Sequence, residues 1–304
     1  MITPLKARDE LDHPGLERLI EHILAGGVHG LFILGTSGEA SSLSYRLRRE
    51  LIERVCRQVR GRVPVLVGIT DTSIVEALGL ARQAADAGAQ AVVTSTPYYL
   101  PPGQPELIEF VEHLVRELPL PLYLYNMPQM TKVEFAPDTL AHVAQLEGIV
   151  GVKDSSGDLG YFDQVLELKR QRPDWSVFVG PEQLLAETVR RGGDGGVNGG
   201  ANVYPRLFVE LYQAVKNGDA VRVTELQARL LQLARIYSVG RHTSAVIKGM
   251  KCACSLLGLC DDFMAEPFER FLPAEREQVR AVLESVGLFE RVVGNSAVAP
   301  AREA

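Results

Sequence analysis

Ile149-Val150-Gly151-Val152-Lys153-Asp154-Ser155-Ser156-Gly157 is the stretch whose reading decides the fold. Ile149 to Val152 is apolar or glycine and carries no charge, the pattern of a strand buried on both faces of a parallel sheet. Ser155-Ser156-Gly157-Asp158 supplies the turn that should end it. The lysine stands at the strand's exit, before that turn. An ammonium in such a place either reaches for water or is held in a pocket that favours its neutral, nucleophilic form. Its neighbours in the fold must decide between the two.

Working outward, strand and helix patterns alternate in both directions. Upstream, Leu16 to Leu24 has helical apolar spacing and ends at Gly26-Gly27. Gly30-Leu31-Phe32-Ile33-Leu34 then reads as a buried strand closed by Gly35-Thr36-Ser37-Gly38. Helices are expected over 44–60, 73–88, 104–118 and 137–146, with strands over 63–69, 91–95 and 121–126. Downstream come helix 159–172, strand 176–180, helix 182–191, strand 195–198 and helix 205–216. Repeated βα units with short connections imply a parallel sheet. A doubly wound open sheet would carry a glycine-rich phosphate fingerprint at its first βα turn. None occurs there, and Gly192-Gly193-Asp194-Gly195-Gly196 reads better as a tight αβ turn than as a phosphate cradle. The expected fold is therefore an α/β protein, a (β/α)8 TIM barrel. An eighth strand should precede the first helix. Only Met1-Ile2-Thr3 is available, so the first strand is read as truncated and the start of the chain as a few codons late.

Beyond residue 217 the strands stop. Helical patterns over 219–237, 243–257 and 273–286 predict a C-terminal three-helix extension. The expected organisation is a barrel over 1–217, the extension over 218–290, and a small, polar, disordered tail over 291–304.

Composition narrows the function. The 304 residues are 46% hydrophobic and 23% charged, with a formal net charge of −6 and a pI near 5.6. That balance argues against nucleic acid or an anionic membrane as the main partner. No apolar run reaches the roughly 18 residues of a membrane span, and no signal peptide precedes the first helix. A cytoplasmic protein is expected. Cys56, Cys252, Cys254 and Cys260 form no CxxC pair and have no histidine at zinc-ligand spacing, so free buried thiols and no metal are expected.

A barrel builds its active site at the C-terminal ends of its strands. Those ends deliver Thr36 and Ser37, Tyr98 and Tyr99, Tyr125 and Asn126, Lys153, Gly180-Pro181-Glu182, and Asn198-Gly199-Gly200. Each has a plain structural explanation: Gly35–Gly38 as a tight turn, Tyr98-Tyr99 as rim aromatics, Tyr125 as core. Together they set an amine nucleophile beside phenols and hydroxyls, which suits Schiff-base carbonyl chemistry with a tyrosine as proton shuttle. The backbone amides of Thr36-Ser37-Gly38 could hold a carboxylate.

At these residues the sequence resembles the dihydrodipicolinate synthase / N-acetylneuraminate lyase family of class I, lysine-dependent pyruvate aldolases. The anchors are GTSGEA (35–40), TPYY (96–99), LYNMP (124–128), GVKDSSGD (151–158), GANV (200–203) and MKCACSLLGL (250–259). The resemblance runs from Ile2 to Leu288. It implies that Lys153 forms the Schiff base and that Tyr125 donates and accepts protons. Thr36 would link Tyr125 to a second tyrosine, Tyr99, contributed across a dimer interface. Ser37 and its neighbouring amides, Gly38 included, would bind the pyruvate carboxylate, with the backbone of Val197 beside it. It also implies a homotetramer built as a dimer of dimers, and no cofactor.

The departures bear on the substrate. Members that make the lysine precursor typically carry an arginine two residues after the proline of the YNxP motif, where it grips the carboxylate of aspartate semialdehyde. Here that position is Met130. Losing a charge-assisted pair costs about 1.5–3 kcal/mol of binding. Sugar-acid lyases of the family have an apolar residue in this region and read substrate hydroxyls with residues matching Ser155, Glu182, Gln183 and nearby Asn198. The leading expectation is an aldolase that cleaves or forms a 2-keto-3-deoxy sugar acid, with pyruvate and an aldehyde as partners. Alternatives are 4-hydroxy-tetrahydrodipicolinate synthase, a dehydratase using the same imine, a non-catalytic keto-acid-binding protein, and a metal-dependent barrel aldolase.

Overall fold

In the computed structural model, which describes residues 1–289, strands and helices alternate as their apolar spacing requires. An antiparallel pair, β1 (Leu5–Ala7) and β2 (Glu10–Leu11), precedes α1 (His13–Ala25). Then come β3 (Leu31–Ile33), α2 (Tyr45–Val59), β4 (Val65–Gly68), α3 (Ile74–Asp86), β5 (Ala91–Ser95), α4 (Gln104–Glu117) and β6 (Leu122–Asn126). Two short helices, α5 (Pro128–Thr131) and α6 (Pro137–Val143), lead to β7 (Ile149–Asp154). The series continues with α7 (Leu159–Gln171), β8 (Ser176–Val179), α8 (Leu185–Arg191), β9 (Gly195–Gly196) and α9 (Pro205–Lys216). It closes with α10 (Ala220–Leu233), α11 (Ala245–Leu256) and α12 (Pro273–Ser285).

β3 to β9 form one parallel sheet in sequential order, the curled α/β arrangement of a TIM barrel. Helices cover the outside of the strands, and most inward side chains are buried, while Phe32, Leu66, Tyr123 and Phe178 stay half-buried. In β5 all five residues are buried. Trp175, 1% exposed, fixes the start of β8 by donating its indole N–H to the Ile149 carbonyl at 2.9 Å. The glycine-rich segment after α8 is the tight αβ turn expected, with Gly192 at φ 113 terminating the helix.

The start of the chain differs from expectation. Residues 1–4 form no strand of the sheet. They lie extended near its first strand, with the Met1 amine donating to the Phe32 carbonyl and Thr3 Oγ1 to the Gly38 carbonyl at 2.7 Å. The Ile2 amide donates to the side chain of Asn202, at 2.9 Å. A ladder needs successive backbone partners, and here the partners are mixed. A cavity of about 390 Å³ opens along this side beneath the rim, lined among others by Phe32, Tyr123, Phe178 and Gly196.

α10 packs on α9, and α12 packs on both α10 and α11. The expected helix over 219–237 is α10 followed by a 3₁₀ turn over Ala234–Ser238. All four cysteines are free and buried, and burial pushes Cys56 up to about 11. The tail from residue 291 lies outside the described residues. No helix among the described residues is long and apolar enough to cross a membrane.

Candidate active site

Register brings the central pair together. β6 and β7 pair in parallel with Tyr125 opposite Lys153 and Asn126 opposite Asp154. Residues opposite each other on paired strands point to the same side of the sheet, so the lysine and the tyrosine share the barrel's inner face. The Lys153 Nζ lies over the Tyr125 ring, 4.1 Å from its centroid. It is 5.2 Å from the Phe32 ring. Lys153 is 9% and Tyr125 6% exposed, so neither reaches freely for water.

The Tyr125 hydroxyl is 3.3 Å from Thr36 Oγ1. Burial pushes the phenol upward. The Lys153 charge and smaller hydrogen-bonding contributions from Thr36, Ser155 and Lys153 together outweigh it, and Tyr125 is held below its ordinary value. Thr36 to Gly38 form one 3₁₀ turn. The Gly38 amide donates back to Gly35 and the Glu39 amide to Thr36, both at 3.0 Å. The amides of Thr36 and Ser37 come first in the turn, and the first amides of a helical turn have no partner inside it.

One residue past the lysine, Asp154 locks the strand exit. It accepts from Asn126 Nδ2 at 2.9 Å, from the Ser156 amide at 3.0 Å and from Ser156 Oγ at 2.9 Å. Burial raises its carboxyl above the ordinary value, against those three bonds. Ser155 packs against Gly180 so closely that a Cβ there would lie 1.8 Å from the serine Oγ. Asn198 donates to the Gly180 carbonyl at 2.8 Å, and the Val197 amide to the Val179 carbonyl at 2.9 Å.

Glu182 is buried just past the exit of β8, the strand beside β7. Its Oε2 accepts from the Gly200 amide at 2.8 Å and from the Tyr237 hydroxyl at 3.0 Å, while Oε1 is buried without a partner. Burial pushes this carboxyl up to about 7, against those two bonds. Met130 stands exposed on α5, and Tyr99 is 98% exposed with φ at 75°. The structure thus brings Lys153, Tyr125 and Thr36 together, the amine over the phenol ring and the phenol oxygen against the threonine hydroxyl, and leaves Tyr99 outside the group.

A family model described as the dihydrodipicolinate synthetase family matches residues 1–286. The chain belongs to the dihydrodipicolinate synthetase family. The expectation drawn from the motifs is met over nearly the whole length. The structure of a dihydrodipicolinate synthase from Bacteroides thetaiotaomicron is 55% identical, covers 94% of this chain and 96% of its own, and superposes with a TM-score of 0.91. A 4-hydroxy-tetrahydrodipicolinate synthase of Kosmotoga olearia is 32% identical over 95% of this chain and 97% of its own. A probable 2-dehydro-3-deoxy-D-pentonate aldolase, YjhH, of Escherichia coli is 34% identical over 92% and 93%. As a member of the dihydrodipicolinate synthetase family the protein is an enzyme, a carbon–carbon lyase of the class I, Schiff-base type.

Three polar residues that hold the surroundings of these side chains were not singled out from sequence. Asp154 follows the lysine directly, and a second charge at the end of an apolar strand was its only signal. Tyr237 lies on a 3₁₀ turn far down the chain. Lys251 is 0% exposed and paired with Glu39. Its signal was a lone lysine inside the apolar run Met250–Leu257.

Proposed function

We propose that the enzyme cleaves a 2-keto-3-deoxy sugar acid, or a related hydroxy-oxo acid, to pyruvate and an aldehyde through an iminium on Lys153. The observation that carries this reading is the Lys153–Tyr125–Thr36 group, with the Nζ 4.1 Å from the phenol ring centroid and the phenol oxygen 3.3 Å from the threonine hydroxyl. The Lys153 nitrogen adds to C2 of the substrate, and loss of water gives the iminium. Tyr125 takes the C4 hydroxyl proton, the C3–C4 bond breaks, and its electron pair moves into the iminium to leave an enamine and the aldehyde. Protonation of the enamine at C3 and addition of water at C2 release pyruvate and restore the amine. The nitrogen itself is the electron sink, so the step calls for no cofactor.

The amides of Thr36 and Ser37 lie beside this group and suit the substrate carboxylate, with Val197 alongside; the Gly38 amide, expected to join them, is taken up by the Gly35 carbonyl within the turn. Ser155, Glu182 and Asn198 are the candidates for the substrate's hydroxyls. Met130 supports a sugar-acid substrate, since it offers no cation to a second carboxylate. The name of the Escherichia coli relative supports the same class. The names of the Bacteroides and Kosmotoga relatives support aspartate semialdehyde instead, as in 4-hydroxy-tetrahydrodipicolinate synthase, to the same degree. Tyr99, exposed beside an exposed Leu100, fits a role across an interface with a second copy, within a cytoplasmic dimer or dimer of dimers.

Borohydride reduction in the presence of pyruvate tests the chemistry. A pyruvyl adduct on the Lys153 peptide is expected, with no adduct in Lys153→Ala and no effect of chelator on turnover. A folded protein that gives no adduct refutes the Schiff-base role. Parallel turnover of 2-keto-3-deoxy sugar acids and of aspartate semialdehyde then separates the two substrate readings.

A further inference from the structure

The residue that closes the Thr36-Ser37-Gly38 turn is held from an unexpected direction. Glu39 is 4% exposed and adopts a left-handed backbone, φ 56 and ψ 27, which is uncommon for a residue with a Cβ. Its Oε1 accepts from the Ala265 amide at 2.8 Å, and its Oε2 forms an ion pair with Lys251 Nζ of α11. Lys251 also donates to the Phe263 carbonyl at 2.7 Å, and Cys260 and Asp262 face it from the following loop. On the other side, Gly38 is tied to Thr3, and Thr36 touches the Tyr125 hydroxyl.

A buried ion pair contributes little net stability compared with well-packed apolar residues. What this one supplies is a fixed place for a strained backbone. We propose that Glu39 and Lys251 are positioning residues: the pair sets where the hydroxyl and amides of Thr36 and Ser37 stand relative to Lys153 and Tyr125, so that recognition of the substrate carboxylate depends on α11. This rests on the Schiff-base reading and deepens it.

The test uses the full chain, with pyruvate as probe and borohydride trapping on Lys153 as readout. In Lys251→Met the pyruvate concentration giving half-maximal trapping is expected to rise about tenfold or more, while the saturated trapping rate falls less than about threefold. Amide exchange in the peptide 35–42 is expected to quicken. A pair serving stability alone would lower the melting temperature of Lys251→Met and leave half-saturation and exchange unchanged below the transition. That result overturns the proposal. If Lys251→Met does not fold, Glu39→Asp decides, because it keeps the charge and shortens the arm by one methylene. Half-saturation raised about fivefold or more supports positioning, and an unchanged value overturns it. Failure of every variant to fold also overturns it, by assigning the pair to the fold. If the parent enzyme itself gives no adduct, the Schiff-base reading has failed. Amide exchange still judges the turn, and unchanged exchange in Lys251→Met then overturns the positioning role.

Discussion

Lys153 and Tyr125 face each other because two strands pair in one register, and a one-residue slip would put them on opposite sides of the sheet. Their roles separate by mutation. Tyr125→Phe keeps the ring under Lys153 and removes only the proton carrier, so kcat should fall about 10²- to 10⁴-fold while pyruvate trapping on Lys153 persists. Steady-state kinetics beside mass analysis of the reduced protein checks both. At Met130, which is exposed, an arginine has room. Met130→Arg should lower the KM for aspartate semialdehyde about tenfold or more, and an unchanged KM would mean that another group holds that carboxylate. Glu182 carries a pH dependence of definite sign. Its carboxyl lies near 7 when folded against an ordinary value of 4.5. Below about pH 4.5 both states hold the proton and the stabilisation is complete. As pH rises toward 7 the unfolded chain ionises first, and about 3 kcal/mol is lost. The stability of the parent minus that of Glu182→Gln, from urea titrations at the two ends of this window, should fall by about that amount.

At the scale of elements, the exits of β7 and β8 are fitted to each other. A methyl group at Gly180 would meet Ser155 Oγ at 1.8 Å, so Gly180→Ala should cost about 1–3 kcal/mol and lower kcat through the displaced serine. Asp158 is the contrasting case. It caps α7 by accepting from the Gly160 and Tyr161 amides, and Asp158→Ala should cost about 1 kcal/mol with trapping on Lys153 unchanged; thermal melts and trapping measured together distinguish the two. The elements themselves were legible wherever apolar spacing is local and clear. β5 and α9 have the expected bounds, and β7 extends one residue further, because Asp154 is paired within the sheet. Where spacing is ambiguous the reading was coarser. The turn over Ala234–Ser238 keeps the apolar rhythm of a helix, so periodicity does not reveal it. Four-residue α5 is too short to have a rhythm at all. Within the site, the lysine, the tyrosine and the threonine were legible as strand-end residues. The Glu39–Lys251 pair was not, because a contact between distant parts of the chain leaves no local pattern in either.

For the whole molecule, Tyr99 at 98% and Leu100 at 81% exposure leave an aromatic and an aliphatic side chain in water at the rim. If a second copy covers them, activity per subunit should fall on dilution, and Leu100→Glu should weaken both self-association and turnover. Sedimentation velocity beside dilution assays checks this; a fully active monomer of the parent enzyme would place Tyr99 outside the reaction. The tie between Glu39 and the segment from Lys251 to Ala265 also has a consequence for biogenesis. A chain emerging from the ribosome carries Lys153, Tyr125 and the whole parallel sheet well before α11 has been made. Domains fold as they are synthesised, N-terminal parts first, yet until the last quarter of the polypeptide arrives the turn beside the lysine is held only through Thr3 and Tyr125, without its Lys251 and Ala265 contacts. On the proposed function, nascent and prematurely terminated chains therefore carry Lys153 without a finished carboxylate-binding turn, and competence to turn over substrate comes last in the enzyme's synthesis.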